Sequence, residues 1–387
     1  MRIVVFNPYA LPIVNPRSIR INNIINELKD FYEIVHICNP QANSEIHSTN
    51  RVEIGFKLSN NLFRNNTTRH YVRKIIKYIT WPDLFFLNVI YQTIVYRIKL
   101  YKKDDVLLTI SNPVSSHLAN VVLKMLMIRT KNYWIADIGD LFNLSQRGIK
   151  SWLFHKFENY VLNNSDVIVL NSEQMARHYI DKYKIRKDKL RIIENGSVLN
   201  FIARASIFNQ QLVFSYFGNS YEPVRKGIRE LEILSSIVGS LEGIIGASKI
   251  QLIGQQHAAL EKLFKNDPKV YFKPPVQPKD LLSEYQRTNI LFCLANDHYP
   301  GLQSKLYEYT QSGLPIIYFC YDDKDPGAIY LTNYSPKIIV NLNQNDPKEL
   351  FQFVIQHYHQ GLNPKSSGPT ELKWRKLLDD LNISPVT

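Results

Sequence analysis

The chain has 387 residues, of which 45% are hydrophobic and 21% charged; that is a globular balance, long enough for two domains of ordinary size, and it argues against extended disorder. Its three cysteines, Cys38, Cys293 and Cys320, have no short spacing, which excludes a disulfide scaffold and a cysteine-rich zinc site. The net charge of +13 is uneven: residues 1–200 hold 28 basic against 16 acidic side chains, and residues 201–387 hold 19 against 18, so the first half alone is suited to face a polyanion.

Short apolar runs alternate with amphipathic stretches throughout, the signature of a doubly wound α/β fold. Strands are predicted over 3–6 and 32–37, separated by a helix over 18–28 with Ile21, Ile24, Ile25 and Leu28 on one face. The run 64–77 carries Arg64, Arg69, Arg73, Lys74 and Lys77 without an acid, and its apolar residues fall at helical spacing, a pattern found both at membrane interfaces and on ordinary solvated helices. Further strands are predicted over 106–110, 133–136 (stopping at Asp137), 167–170 and 190–193, with helices over 117–128 and from 171 onward. After a polar bridge near 203–211 the cycle restarts: strands over 212–217, 250–253, 270–272, 290–294 and 315–319, helices over 227–237, 278–286 and 304–311. Two successive αβ blocks are therefore expected, 1–204 and 205–368, with an amphipathic helix within 369–387.

Folds of this kind bind ligands beyond the carboxyl ends of their strands, which directs attention to residues 7–12, 111–116, 137–140, 219–227, 254–257 and 297–308. The first of these contains no glycine, so no dinucleotide fingerprint follows the first strand, and the chain has no Walker A loop. The most informative stretch is 300–317, Pro-Gly-Leu-Gln-Ser-Lys-Leu-Tyr-Glu-Tyr-Thr-Gln-Ser-Gly-Leu-Pro-Ile-Ile. A glycine turn delivers the chain to a helix start, where free N–H groups and the helix dipole favour a phosphate. Lys305 in the first turn opposes that dipole and calls for an anionic partner; Glu308, a turn later, is placed to receive sugar hydroxyls. The acidic loop Asp322-Asp323-Lys324-Asp325 is too ordinary a pattern to read as a metal site.

The 300–317 segment resembles the nucleotide-sugar motif of retaining GT-B glycosyltransferases of family 4, in which a loop and helix similar to SKLYEYLASGKPII close over the donor. The resemblance extends along the chain in order. It takes in Trp81-Pro82-Asp83, Ser111-Asn112-Pro113-Val114-Ser115-Ser116-His117-Leu118 (similar to SSPPPSSHL), and Trp134 through Phe142 (similar to WIADFRDPW). It continues with Val169 through Glu173, Ile192 through Ser197, and Phe217-Gly218-Asn219 through Lys226-Gly227, which is similar to a GR…KG diphosphate clamp. It implies an α/β GT-B architecture of two Rossmann-like domains facing each other across a cleft, the first taking the acceptor, the second the nucleotide-sugar donor, and a last helix returning to the first domain.

By the same resemblance, Glu308 holds the nucleotide ribose and Lys226, beside Arg225, the donor diphosphate. Gly218, Asn219, Gly254, Gly301, Leu302, Ser304 and Lys305 complete the donor site. Asp137 orients or deprotonates the acceptor hydroxyl, with Asp140, Ser111 and Asn112 around the acceptor; Asp137, Lys226 and Glu308 are the expected catalytic residues. Three positions depart from the pattern: Pro300 replaces the first glutamate, with Asp297 or His298 as candidate substitutes, Asn219 replaces an arginine, and Gly139 replaces another. The implied activity transfers a sugar from a nucleotide-diphosphate sugar to a lipid-linked or oligosaccharide acceptor in bacterial surface-polysaccharide or lipopolysaccharide assembly. No cofactor or metal is expected beyond the sugar nucleotide. The basic first half suits an anionic membrane surface at the inner face of the cytoplasmic membrane, and no nucleic-acid recognition motif accompanies the charge. The alternatives are a sugar-nucleotide epimerase of the same fold and a donor-binding partner protein without transferase activity.

Overall fold

The computed structural model describes residues 1–9, 16–39, 51–54, 82–83, 85–126, 132–142, 148–194, 211–221, 224–297, 299–344, 347–358 and 373–383. The basic run 64–77, Trp81, His298 and nearly all of the polar bridge near 203–211 lie outside these. The chain divides into two compact units, Met1–Asn195 with Glu371–Thr387, and Gly196–Thr370.

The first unit runs β1 (Arg2–Phe6), α1 (Pro16–Leu28), β2 (Glu33–Cys38), β3 (Arg51–Glu53), α2 (Phe86–Lys99), β4 (Val106–Ile110), a 3₁₀ turn (Val114–His117), α3 (Leu118–Leu126), β5 (Trp134–Ile138), α4 (Ile149–Asn164), β6 (Val167–Leu170), α5 (Glu173–Tyr183) and β7 (Leu190–Ile192). Its strands form one parallel sheet in the order β3-β2-β1-β4-β5-β6-β7. Every residue of β1, β4, β5 and β6 is buried, as expected of parallel strands covered on both faces. Alternation along β1 divides the core in two: Val4 and Phe6 pack with Leu107, Trp134 and residues of α2 to α5, while Ile3 and Val5 pack with Ile21, Ile24 and Ile135 on the α1 side.

The second unit repeats the plan with β8 (Leu212–Phe217), α6 (Ile228–Ile245), β9 (Ser248–Ile253), α7 (Ala258–Phe264), β10 (Val270–Lys273), α8 (Pro278–Gln286), β11 (Ile290–Cys293), α9 (Lys305–Ser312), β12 (Ile316–Cys320), α10 (Pro326–Tyr330), β13 (Lys337–Asn341) and α11 (Pro347–His357). The parallel order is β10-β9-β8-β11-β12-β13. In both sheets the strand order reverses direction between the first strand and its later neighbour, β1 beside β4 and β8 beside β11, and that switch point is where such sheets take ligands.

The last helix, α12 (Lys373–Asp380), belongs to the first unit and packs on α1. Trp374, Leu377 and Leu378 join the Ile3–Ile21–Ile24 cluster, and the Glu27 carboxylate accepts the backbone N–H groups of Trp374 (2.6 Å) and Arg375 (2.9 Å), satisfying otherwise orphaned helix-start donors. One strand differs from the sequence reading in a way that matters. β5 continues through Ile138, so Asp137 sits inside a fully buried strand instead of just beyond its end.

Candidate functional site

In the first unit, the strand ends at the switch point are dense with charge, and the charge is paired. Asp137 is completely buried. Both of its oxygens accept from the buried Arg20 of α1, Nη2 reaching Oδ1 at 2.8 Å and Nε reaching Oδ2. Arg20 also donates to the Ile193 carbonyl (3.1 Å) and lies beneath the Trp374 ring, 5.4 Å from its centroid. Asp137, expected at an acceptor hydroxyl, is placed in this pair, and through Arg20 its carboxylate ties α1 and the β7 end to the sheet. Ser111 is likewise buried, its hydroxyl donating to the Asp137 carbonyl and accepting from Gly139 N, both at 3.3 Å.

Asp140 and Asn112 remain partly exposed and are joined, Asn112 Nδ2 donating to Asp140 Oδ2 at 2.9 Å. Arg17, from the first turn of α1, pairs with the same carboxylate. A Cβ at Gly139 would run into the Arg17 guanidinium, so the glycine that departs from the family pattern makes room for an arginine from another element. His117 is fully buried, stacked on Phe142 and joined through Nδ1 to Thr109 Oγ1 at 2.7 Å; burial pushes its imidazole down to about 3, so it is neutral. Neither Arg17 nor Arg20 was singled out by sequence. Their only signal is cationic side chains on the buried side of an amphipathic helix.

The second unit is different. β8 and β9 end in Gly218 (φ +145°) and Gly254 (φ +141°), and the two chains approach so closely that a Cβ on Gly254 would strike the Gly218 carbonyl. Only glycine tolerates both the dihedral and the approach. Gly218 N donates to Ile253 O (2.8 Å) and Gln256 Nε2 to Gly218 O (2.9 Å). Asn219, at the position of the missing family arginine, uses Oδ1 to accept Gln255 N (2.8 Å), locking the two strand-end loops together.

Arg225 is buried and holds this region from below. Its Nε and Nη2 donate to Asn296 Oδ1 (3.0 and 2.5 Å), and its Nη1 donates to Tyr216 Oη (3.4 Å) and Asn219 O (3.3 Å). Among the described residues it forms no ion pair. Beside it, Lys305 enters from the start of α9. Its Nζ is buried without a hydrogen-bond partner and lies 3.6 Å from the centroid of the Tyr216 ring, where a Cβ on Gly218 would overlap it. Burial, then the charge of Arg225, holds the amine well below the ordinary ammonium range. The anionic partner that the sequence demands for Lys305 is not supplied by hydrogen bonding from the protein.

Glu308 lies one turn further on α9, half-buried, with Tyr285 Oη donating to Oε2 at 3.4 Å. Tyr285 itself stacks face to face on Phe217, ring centroids 4.1 Å apart. Ser304 stands at the N-cap of α9 without a side-chain cap bond, and Lys226 is exposed. The side chain of Leu302 is a core residue packed with Leu306 and Tyr309, so the backbone is its route to a ligand. Gly301 is buried, its carbonyl facing Asn296 Nδ2 at 3.5 Å. Pro300 offers no carboxylate. Asp325, from the acidic loop, caps α10 by accepting Gly327 N (2.7 Å) and Ala328 N (3.2 Å), with Tyr318 Oη at 2.5 Å.

Two parallel sheets of this order, each with its ligand positions at the switch point, have known counterparts. Over 92% of this chain and 89% of that one, the fold superposes on sucrose-phosphate synthase from Thermosynechococcus elongatus at a TM-score of 0.63 with 13% identity. This is the GT-B fold. A structure described as trehalose-6-phosphate from E. coli bound with UDP-2-fluoro glucose matches over 99% of this chain and 95% of that one, at TM-score 0.62 and 10% identity. WaaG, a glycosyltransferase involved in lipopolysaccharide biosynthesis, matches over 93% and 91% at TM-score 0.57 and 12% identity. Residues 132–200, from just before β5 to beyond β7, match the family Glycosyltransferase Family 4. No curated protein sequence matches the chain. On this GT-B chain, then, the second unit brings two basic groups to a helix start without an ion pair among the described residues, and in the first the buried arginines are paired.

Proposed function

We propose that the chain is a retaining glycosyltransferase that uses a nucleoside-diphosphate sugar, bound at the β8–β11 switch point, and passes the sugar to a hydroxyl of a glycan acceptor. The observation that carries this reading is the pair of basic groups, the buried Arg225 guanidinium and the buried Lys305 Nζ, which among the described residues have no carboxylate ion pair beside the start of α9. Burying cations unpaired is costly, and such an arrangement is favourable once an anion arrives. Breaking the sugar–phosphate bond leaves negative charge on the departing diphosphate, and preorganised cations and N–H groups stabilise it without a metal. Lys226, exposed beside Arg225, adds a screened contribution, and Glu308 is placed to accept from ribose hydroxyls. On the acceptor side the reading rests on Asp140 with Asn112 and Arg17, Asp137 being committed to Arg20.

A lipid-linked acceptor and peripheral attachment to an anionic membrane are part of this proposal. Supporting them are the 28 basic against 16 acidic residues of 1–200, and Leu87 (58% exposed), Ile94 (37%) and Ile98 (75%) along α2, with Arg97 and Lys99 in its last turn. Among the described residues no helix is long and apolar enough to cross a membrane. WaaG's role in lipopolysaccharide biosynthesis is a functional parallel. A second reading, a nucleotide-sugar-binding partner without transfer, is favoured by Pro300 and by the engagement of Asn219 with Gln255.

A melting panel of nucleoside diphosphates and their sugars, on the protein and on Glu308→Ala, tests the donor site. Ligand at 100 times its dissociation constant adds about 2.7 kcal/mol, so one nucleotide class is expected to raise Tm clearly, less so in the variant. No shift with any member would remove the reading. Release of nucleoside diphosphate in the presence of a membrane extract separates the transferase from the binding partner, which releases none.

A further inference from the structure

The surroundings of Lys305 say how the anion is received. Facing its amine are the Tyr216 ring from β8, the Arg225 guanidinium from the loop after β8, the Cys293 thiol from β11, and Glu308 from its own helix, with Tyr309 close to Tyr216, Cys293 and Glu308. Burial pushes both the Tyr216 phenol and the Cys293 thiol up to about 12, and Tyr309 well above its ordinary range, so all three are uncharged at neutral pH. Arg225 is always charged and repels a second cation. Glu308 brings the opposing carboxylate, and Tyr285 donates to it. An ammonium here gains only the Tyr216 ring face and the field of Glu308 against full desolvation and a neighbouring guanidinium. A neutral amine incurs neither cost.

We propose that sugar-nucleotide binding in this unit is a proton-coupled step, in which the Lys305 amine starts neutral and takes one proton from solvent as the diphosphate arrives. The balance is simple: the amine lone pair accepts a proton to give an ammonium, no bond to the ligand forms, and the proton returns to solvent when the diphosphate leaves. The inference rests on the proposed function and deepens it. It explains how the fold places two basic groups side by side with no ion pair among the described residues, since only one is charged until the ligand adds negative charge. It also sets a direction with pH. Because the loaded state holds one more proton, Kd rises by up to tenfold per pH unit between the empty and the loaded pKa of Lys305.

The test is calorimetric titration at pH 8 in buffers of different ionisation enthalpy. The probe is whichever of the uridine, guanosine and deoxythymidine diphosphate sugars raises Tm most. The diphosphate of a nucleotide sugar is a diester whose oxygens do not titrate near neutrality, so any proton taken up belongs to the protein. About one proton per ligand is expected for the wild type. Near zero is expected for Lys305→Arg, which is charged from the outset. Binding without proton uptake in the wild type, or equal uptake in Lys305→Arg, overturns the coupling and leaves the donor site standing. Binding by no member of the panel overturns both. Should Lys305→Arg not fold, the wild-type uptake is paired with its Kd from pH 7 to 9: a rise supports the coupling, and a flat profile overturns it.

Discussion

The two sheets share one strand order, the first carrying β7 as an extra edge, yet they handle buried positive charge in opposite ways. In the first unit each buried arginine among the described residues has a carboxylate: Arg20 has Asp137, Arg17 has Asp140, and Arg2 has the buried Asp105. In the second, Arg225 rests on neutral oxygens of Asn296, Tyr216 and Asn219, and Lys305 on the face of an aromatic ring. A paired buried ion is part of the scaffold, and removing one partner strands the other. An unpaired one is a demand for a ligand. On the proposed function the first set does structural work and the second binds, although the sequence motifs put candidate catalytic residues in both.

The sharpest way to break this comparison is Asp137→Ala. Leaving Arg20 buried and unpaired is expected to cost about 3–5 kcal/mol in denaturant unfolding; a variant of wild-type stability that has lost only transfer would return Asp137 to the reaction. Lys305→Met should do the reverse. It removes an unpartnered buried amine, so Tm is expected to hold or rise, while nucleotide affinity falls roughly 10- to 150-fold, corresponding to about 1.5–3 kcal/mol for a charged hydrogen bond. A melting curve and a binding isotherm on the same preparation check both.

Stability against pH sharpens the contrast further. Lys305 has its amine depressed in the folded chain, so the unfolded chain binds the extra proton and stability rises with pH from the folded value toward the unfolded value near 10.5. The rise should be visible without ligand and flatter in Lys305→Met; identical slopes would show that the amine is ordinary. Lys226 is exposed, and Lys226→Ala is expected to change affinity by less than about 1 kcal/mol, a change that added salt shrinks. A loss as large as that of Lys305→Met would move the anion toward the surface.

Much of the fold was legible. Strands 106–110, 167–170 and 212–217 were read residue for residue because parallel strands buried on both faces are uninterrupted apolar runs. The helix Ile149–Asn164 was not, since Ile149 (74% exposed) and Trp152 (56%) put large apolar residues on its outer face and blur the period. The three residues Arg51–Glu53 are too few to carry a pattern, and Lys337–Asn341 is only partly buried. At the candidate site, Lys305, Arg225 and Glu308 were visible because the loop and helix that carry them are contiguous with a recognisable motif. Arg17 and Arg20 were not, because they reach Asp140 and Asp137 across 123 and 117 residues of sequence, a juxtaposition made only by the β1–α1–β2 crossover. Asp137 is expected just past a strand that in fact runs two residues further, to Ile138, which makes its position a buried one.

The most direct test of the central claim compares a nucleoside, its monophosphate and its diphosphate, titrated against the wild type and Lys305→Met. If the unpaired cations of the second unit exist to hold the diphosphate, affinity should climb at least tenfold per phosphate in the wild type, and most of that climb should vanish in the variant. A nucleoside that binds as tightly as its diphosphate, or a climb that Lys305→Met leaves intact, would contradict the account.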